Sequence, residues 1–476
     1  TDVIRSSDRH PLYPALVATA EPLAAVVAGH GPESWRLAAQ GVSALAAIAL
    51  LIPLYGLTRS LFDGRIAGLA VLIYALLPLP AAVGHDTLSD GLALLGSLLA
   101  LRLGEAALRP GARGWSAPTA CGLAAGLGFL ARPEVLVAPA AVLVTAAARS
   151  RLAPRRRRGA VPRAAALAAV FLAIIGAYTA VKGEVSGKLA PRPKVVRKVG
   201  QWLPPGLDDR RWDFSPKEES GGPARLGAAA AVRRLARAWC EGLAWAFAPL
   251  AAWGAVRDRS IRSLCPGRTD EPGPGRTLIA VYLALFALVL VRHAMAMGYL
   301  SGRHALSLIV ASIPWAAAGT FACARGIAVR LGWGRRRSRA MGLTLLAAAL
   351  AAGVAVQLKP AHPSRWGHWA AGRWLIANAR PSDAVLDTRG WAAFVSGRPS
   401  YDYWHVRQAL TDAHLAYIVV GTDELDAPSR RAATLRAVLA YAARPAAEFP
   451  ARRDGRGAGV RVYRFRRPDS WEGLRP

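Results

Sequence analysis

A chain of 476 residues would make two or three soluble domains by length alone, but 53% of it is hydrophobic and its mean hydropathy is +0.24, which excludes that reading. It carries 61 basic against 30 acidic residues, a formal charge of +31. On a soluble protein this would point to nucleic acid, but here the cations gather in short stretches between apolar runs, so membrane topology accounts for them and no nucleic-acid partner is expected.

Apolar runs near twenty residues long recur, and each can cross roughly 30 Å of hydrocarbon as a helix. In lipid a segment must satisfy its own backbone, so such runs are helices. The expected fold class is an α-helical polytopic membrane protein of about ten transmembrane helices with a small α/β domain at its C-terminus.

In chain order, the sequence opens on Thr1, with neither a basic n-region nor a short apolar h-region. This is read as a missing N-terminus. "DRHPLYPALVA", Asp8 to Ala18, sets His10 before a proline-punctuated apolar run. Spans follow at 36–57, 66–83, 90–107, 116–131, 133–148, 164–182, 236–256, 277–292, 304–322 and 341–357.

If residues 1–35 lie outside, the inner loops include Arg149–Arg163 and Arg325–Arg339, the most basic short loops in the chain, as the positive-inside rule requires. The domains are then 1–357, membrane-embedded with outer loops 1–35 and 183–235, and 358–476, an extracytoplasmic α/β domain. In the latter, Val385-Leu386, Tyr417–Val420 and "GVRVYRF" read as strands and "APSRRAATLRAVLAYAARP" as a helix.

"GEVSGKL", Gly183 to Leu189, lacks the spacing of a phosphate loop. Gly122-x-x-x-Gly126 reads as a close helix-packing motif. The four cysteines show no metal spacing.

With this sidedness, ionisable residues collect at the outer helix ends. His10 lies at the membrane edge. "GHDTLSD" brings His85, Asp86 and Asp90, "ARPE" brings Arg132 and Glu134, the long outer loop brings Lys182 and Lys188, and "MGYLSGRHAL" brings Arg303 and His304.

Charges near lipid are expensive unless paired or used. Guanidinium suits a lipid-linked phosphate, and a carboxylate suits general-base work on a hydroxyl. The alternative for each residue is interfacial anchoring. For Asp90 alone it is N-capping of its helix. His85 and Asp86, with Asp90 four residues after Asp86, also permit a divalent-cation site for magnesium or calcium, without a third ligand fixed by spacing.

The order of these pieces resembles the GT-C superfamily of membrane glycosyltransferases. The nearest likeness is to its family 39, which includes protein O-mannosyltransferases and lipid A aminoarabinose transferases. The stretches that carry the likeness are "HPLYPALVA", "LYGLTRSLFDGRIAGLAVLIYALLPL", "HDTLSDGLALLGSLLALRL" with "GLAAGLGFLARPEVLVAPAAVL", and "GYLSGRHALSLIVASIPWAAAG". The tail "ARPSDAVLDTRGWAAFVSGRP" is similar to the small outer domain of many relatives.

The resemblance implies sugar transfer from a polyprenyl-phosphate donor to a glycan, lipid or protein acceptor on the extracytoplasmic face of a bacterial inner membrane. It places His10 and Asp90 at polar positions of the family's outer site. It puts Arg303 and His304 at a late Arg-Tyr pair, with His replacing Tyr. The family's acidic base is expected upstream of Thr1, so no catalytic residue is assigned. The readings kept beside this one are a non-catalytic membrane scaffold of the same fold and a transporter or lipid flippase.

Overall fold

The structure is a computed structural model and describes residues 10–109, 114–152, 157–183, 185, 212, 226–258, 274–357, 365–451 and 459–471. These residues divide into two compact units. One is the helical part through Gln357. The other is the part from Arg365 onward together with residues 24–35 and Trp212.

The helical unit runs α1 (Leu12–Ala28), α2 (Pro32–Ala49), α3 (Leu51–Leu61), α4 (Gly64–Leu76), α5 (Pro78–His85), α6 (Asp90–Leu108), α7 (Ser116–Ala131), α8 (Val137–Leu152), α9 (Arg157–Lys182), α10 (Ala228–Gly242), α11 (Phe247–Arg257), α12 (Pro274–Met297), α13 (Leu306–Arg330) and α14 (Arg335–Gln357). Among the described residues, six helices are long and apolar enough to cross a membrane: Pro32–Leu61, Asp90–Leu108, Pro133–Arg151, Val161–Lys182, Pro274–Met297 and Leu306–Arg330. The pair α4 and α5, bent by 61°, makes a seventh if counted as one broken span.

The expected span at 116–131 is a shorter apolar helix of 16 residues, and 341–357 lies on α14. The expected span at 236–256 is not one helix. Ala244 and Trp245 take left-handed backbone conformations (φ 52° and 56°), and α10 ends before α11 begins. Non-glycine residues pay roughly 1–2 kcal/mol each for that conformation.

The physical reason lies in α10. It buries Ala231, Leu235, Ala238 and Gly242 on one face, while Arg233, Arg234, Arg237 and Glu241 lie exposed. That is the pattern of a surface helix with one apolar stripe.

Glycines set the closest helix contacts. A Cβ on Gly96 would lie 2.7 Å from the Cα of Gly128, so α6 and α7 meet backbone to backbone. The Gly122-x-x-x-Gly126 pair packs on α9, where added Cβ atoms would meet the carbonyl of Leu167 at 2.6 Å and the Ile174 side chain at 2.4 Å. Gly254 on α11 and Gly319 on α13 form a third such contact, against the carbonyls of Trp315 and Leu250. Small residues allow this approach where lipid offers no hydrophobic drive between helices.

Helix α6 carries an ion network at each end. Asp90, at its first residue, is 6% exposed and Glu105, in its last turn, 3%. Glu105 accepts from Arg102 at 2.7 Å and from Arg109 at 2.8 Å. Nearby, Arg276 donates to Asp258 and to the carbonyl of Leu61, and the indole of Trp315 donates to the other oxygen of Asp258.

The second unit is a five-stranded mixed sheet in the order β2-β1-β3-β5-β4: β1 Ala384–Asp387, β2 Ser400–Tyr401, β3 Leu415–Gly421, β4 Ala443–Phe449 and β5 Val460–Phe465. The pairs β1–β2 and β1–β3 are parallel, and β3–β5 and β4–β5 antiparallel. Three of these strands lie where the sequence placed them. β2 and β4 are additional.

The expected helix is Arg430–Ala442, capped by Ser429, whose hydroxyl accepts from the amide of Ala432. β4 holds Pro445, a poor strand former, at a register irregularity against β5. That is a position where a missing amide costs little.

Candidate functional site

The connections at one end of α6 carry the ionisable residues. Tyr13, in the HPLYP stretch, donates from its hydroxyl to the carbonyl of Ala39 at 2.9 Å and lies 3.0 Å from the Ser43 hydroxyl. Ser43 in turn donates to the carbonyl of Leu88. This fixes the connection that leads into Asp90. Ser89 precedes the helix without a side-chain capping bond, and Asp90 is the first helical residue. The N-cap expectation for Asp90 is therefore corrected: its carboxylate is taken by side chains instead.

Asp90 sits between two arginines. Arg132 Nη1 donates to its Oδ1, and Arg303 Nη2 donates to its Oδ2 at 2.7 Å. Arg132 caps the end of α7, where Pro133 stops the helix and opens a 3-10 turn that presents Glu134. Glu134 accepts from Arg132 Nε at 3.2 Å and from Nη2 at 2.7 Å. Glu134, Arg132, Asp90 and Arg303 thus alternate in charge along one hydrogen-bonded chain.

The two arginines differ in what they have left to offer. The Arg132 side chain is 14% exposed, and its fork is filled by two carboxylates. The Arg303 side chain is 46% exposed and gives Asp90 only Nη2, so among the described residues its Nε and Nη1 remain open to a ligand. The uncommitted N–H groups on Nε and Nη1 are donors that phosphate oxygens can take.

Arg303 lies on the 298–305 connection between α12 and α13. Arg234 Nη1 donates to the carbonyl of Gly298 at 2.8 Å, which pins the connection to α10. His304 Nδ1 faces the amide of Ser301 at 3.2 Å and its hydroxyl at 3.1 Å. The His304 ring also packs against His293, with centroids 4.9 Å apart, and Tyr299, at 5.8 Å. Burial, then the neighbouring His293, Arg132 and Arg303, push the pKa of His304 down, against the pull of Glu134. Its imidazole is therefore the neutral form at pH 7.

The other expected site residues fall elsewhere. His10 is buried, with its ring stacked on Tyr178 at 5.5 Å and edge-on to Phe129 at 5.4 Å. It is part of an aromatic packing between α7 and α9. His85 is exposed at the end of α5, and Asp86 caps the following turn by accepting from the amide of Thr87. Among the described residues no three His, Cys, Asp or Glu side chains are placed to hold a metal ion, and both oxygens of Asp90 are engaged by arginines. Lys188 lies outside the described residues.

Three neighbours of the site went unassigned in the sequence. Glu134 stands in the quoted "ARPE" but was not given a role. His293 ends a run that reads as apolar. Arg234 falls at the end of the stretch read as the outer loop 183–235, which the structure places on α10.

Compared with known proteins, residues 16–178 match the family described as dolichyl-phosphate-mannose-protein mannosyltransferase. No curated protein matches the chain. Among solved structures, ArnT from Cupriavidus metallidurans in the apo state is 14% identical, with 96% of this chain and 87% of that chain covered and a TM-score of 0.56. ArnT from the same organism bound to undecaprenyl phosphate is 14% identical over 96% and 88%, with a TM-score of 0.54. The apo oligosaccharyltransferase of Archaeoglobus fulgidus is 14% identical over 95% and 66%, with a TM-score of 0.51. By sequence over 16–178 and by fold over nearly its whole length, the chain resembles the GT-C superfamily of membrane glycosyltransferases, and its fold is theirs.

Proposed function

We propose that the chain is a membrane glycosyltransferase that takes a sugar from a polyprenyl-phosphate donor and passes it to a glycan, lipid or protein acceptor on the extracytoplasmic face. The observation that carries this reading is Arg303, half-exposed and anchored to Asp90 through Nη2 alone, with its Nε and Nη1 uncommitted among the described residues. The family match over 16–178 and the fold shared with an ArnT bound to undecaprenyl phosphate support it.

In this reading Arg303 binds the donor phosphate. Asp90 and Arg132 hold Arg303 in place, and His304 lies beside it. Transfer breaks the bond from the sugar C1 to the phosphate oxygen and forms one from C1 to the acceptor oxygen. The polyprenyl phosphate leaves with the electron pair, its charge met by Arg303. The acceptor proton passes to a base other than Asp90, both of whose oxygens are already hydrogen-bonded. The arginine-rich connections 149–163 and 325–339 face the cytoplasm, and the C-terminal unit lies outside a bacterial inner membrane.

The test is transfer of a labelled sugar from a polyprenyl-phosphate donor by the full chain in lipid, with Arg303→Ala alongside. Loss of transfer in the variant is the expected result. Transfer that persists undiminished removes Arg303 from the mechanism, and absence of transfer together with absence of lipid-phosphate binding by the unaltered chain overturns the reading.

A further inference from the structure

A second polar feature lies next to Arg303. A cleft of about 230 Å³ opens between α10 and the 298–305 connection, lined by Arg234, Arg237, Ala238, Glu241, Leu300 and Gly302. Three of the six lining residues are charged. Arg237 Nε donates to Glu241 at 2.8 Å, and Arg234 is held by the carbonyl of Gly298.

We infer that this cleft takes the sugar ring of the lipid-linked donor. The inference rests on the proposed phosphate role of Arg303 and adds a subsite to it.

Three observations favour a neutral polyol. The volume is below that of a drug-sized pocket, on the scale of one monosaccharide ring. The lining mixes donors and an acceptor: guanidinium groups can donate to ring and hydroxyl oxygens, and the Glu241 carboxylate can accept from hydroxyls. Glu241 adds to the two guanidinium groups an acceptor that hydroxyls use and a bare phosphate does not.

Position supports the same occupant. Gly302 lines the cleft and Arg303 follows it in the chain, so the cleft and the proposed phosphate residue share the 298–305 connection. A cleft of about 210 Å³ on the far side of Trp239 has alanine, leucine and tryptophan walls and offers a hydroxylated ring little beyond Ser312.

The experiment measures affinity of the full chain in nanodiscs for a short-chain polyprenyl phosphate, and for the same lipid phosphate bearing mannose, glucose, arabinose or 4-amino-arabinose. At least one sugar-bearing lipid should bind about tenfold tighter than the bare one, as hydrogen bonds to charged groups allow. Glu241→Ala and Arg237→Ala should abolish that difference and leave bare-lipid affinity where it was. Arg303→Ala should weaken both ligands.

If no sugar tightens binding, or if the preference survives both cleft variants, the cleft is not the sugar subsite. If Arg303→Ala binds bare lipid phosphate like the unaltered chain, the phosphate reading fails instead. Glu241 and Arg237 are solvent-facing on a surface helix, so their loss leaves the fold intact, and an unchanged melting temperature without lipid verifies this.

Discussion

Arg303 Nη2 lies 2.7 Å from Asp90 Oδ2, across 213 residues of sequence. The bond joins the start of α6 to the connection before α13, and Arg132 holds the same carboxylate from the other side. One carboxylate thus serves a saturated arginine and an unsaturated one.

This asymmetry separates the two arginines experimentally. Arg132→Ala removes one of the two arginines on the buried Asp90 and the fork on Glu134, a loss of about 1.5–3 kcal/mol for hydrogen bonds to charged groups. It should lower the melting temperature of the detergent-solubilised chain markedly. Arg303→Ala should cost less stability, since half the Arg303 side chain is in solvent, but should abolish binding of polyprenyl phosphate. Equal effects of both variants on both readouts would show that the distinction is wrong.

Tyr13 supports the site from the HPLYP stretch. Tyr13→Phe removes the hydroxyl that reaches Ala39 and Ser43, a loss of about 1 kcal/mol. Hydrogen exchange at the 86–90 connection should speed up in this variant, because Ser43 also bonds the carbonyl of Leu88. Unchanged exchange there would detach Tyr13 from the placement of Asp90.

Gly319 and Gly326 share α13 but not surroundings. A Cβ on Gly319 would lie 1.9 Å from the carbonyl of Leu250, whereas nothing lies within 4 Å of one on Gly326. Gly319→Ala should destabilise by about 1–3 kcal/mol or more through overpacking against α11. Gly326→Ala should be neutral or gain up to about 1 kcal/mol from helix propensity. Paired melting curves decide it.

His368, 2% exposed in the C-terminal unit, gives that unit a pH dependence. Burial depresses its pKa below the usual 6.5, assisted by Arg389 and opposed by Asp387, Glu424 and Asp423. The unfolded chain then binds more protons than the folded one between the depressed value and 6.5. The stabilising contribution is complete above about pH 6.5 and is lost as the pH falls below it. Exchange protection of β1 and β3 should fall on acidification through that window, and His368→Gln should flatten the dependence. A chain whose protection is the same at pH 5 and pH 7 would contradict this.

Much of the helical unit was legible because an apolar run of span length admits few other structures in lipid. Asp90, Arg132, Arg303 and His304 were legible for a related reason: charges at such run ends stand out. The failure at 236–256 has the same origin. "AWCEGLAWAFAPLAAWGAV" is apolar enough to pass for one span, and the left-handed residues at the break are Ala244 and Trp245 rather than the nearby Gly242.

The upstream arginines at 233, 234 and 237, with Glu241, keep a helical face and were the available signal. His10, which looks polar between a charged residue and a proline, has its ring packed among Phe129 and Tyr178, a setting its sequence neighbours do not signal. β4 was missed because "ARPAAEF" lacks alternation, and its pairing with β5 supplies what its own residues do not.

The two ion networks of α6 fix a length. Fifteen residues separate Asp90 from Glu105, about 22 Å of helix rise, while a typical hydrocarbon core is ~30 Å thick. Both carboxylates are buried in the protein and met by arginines, so the bundle itself supplies the counter-charges that hydrocarbon at this depth would not.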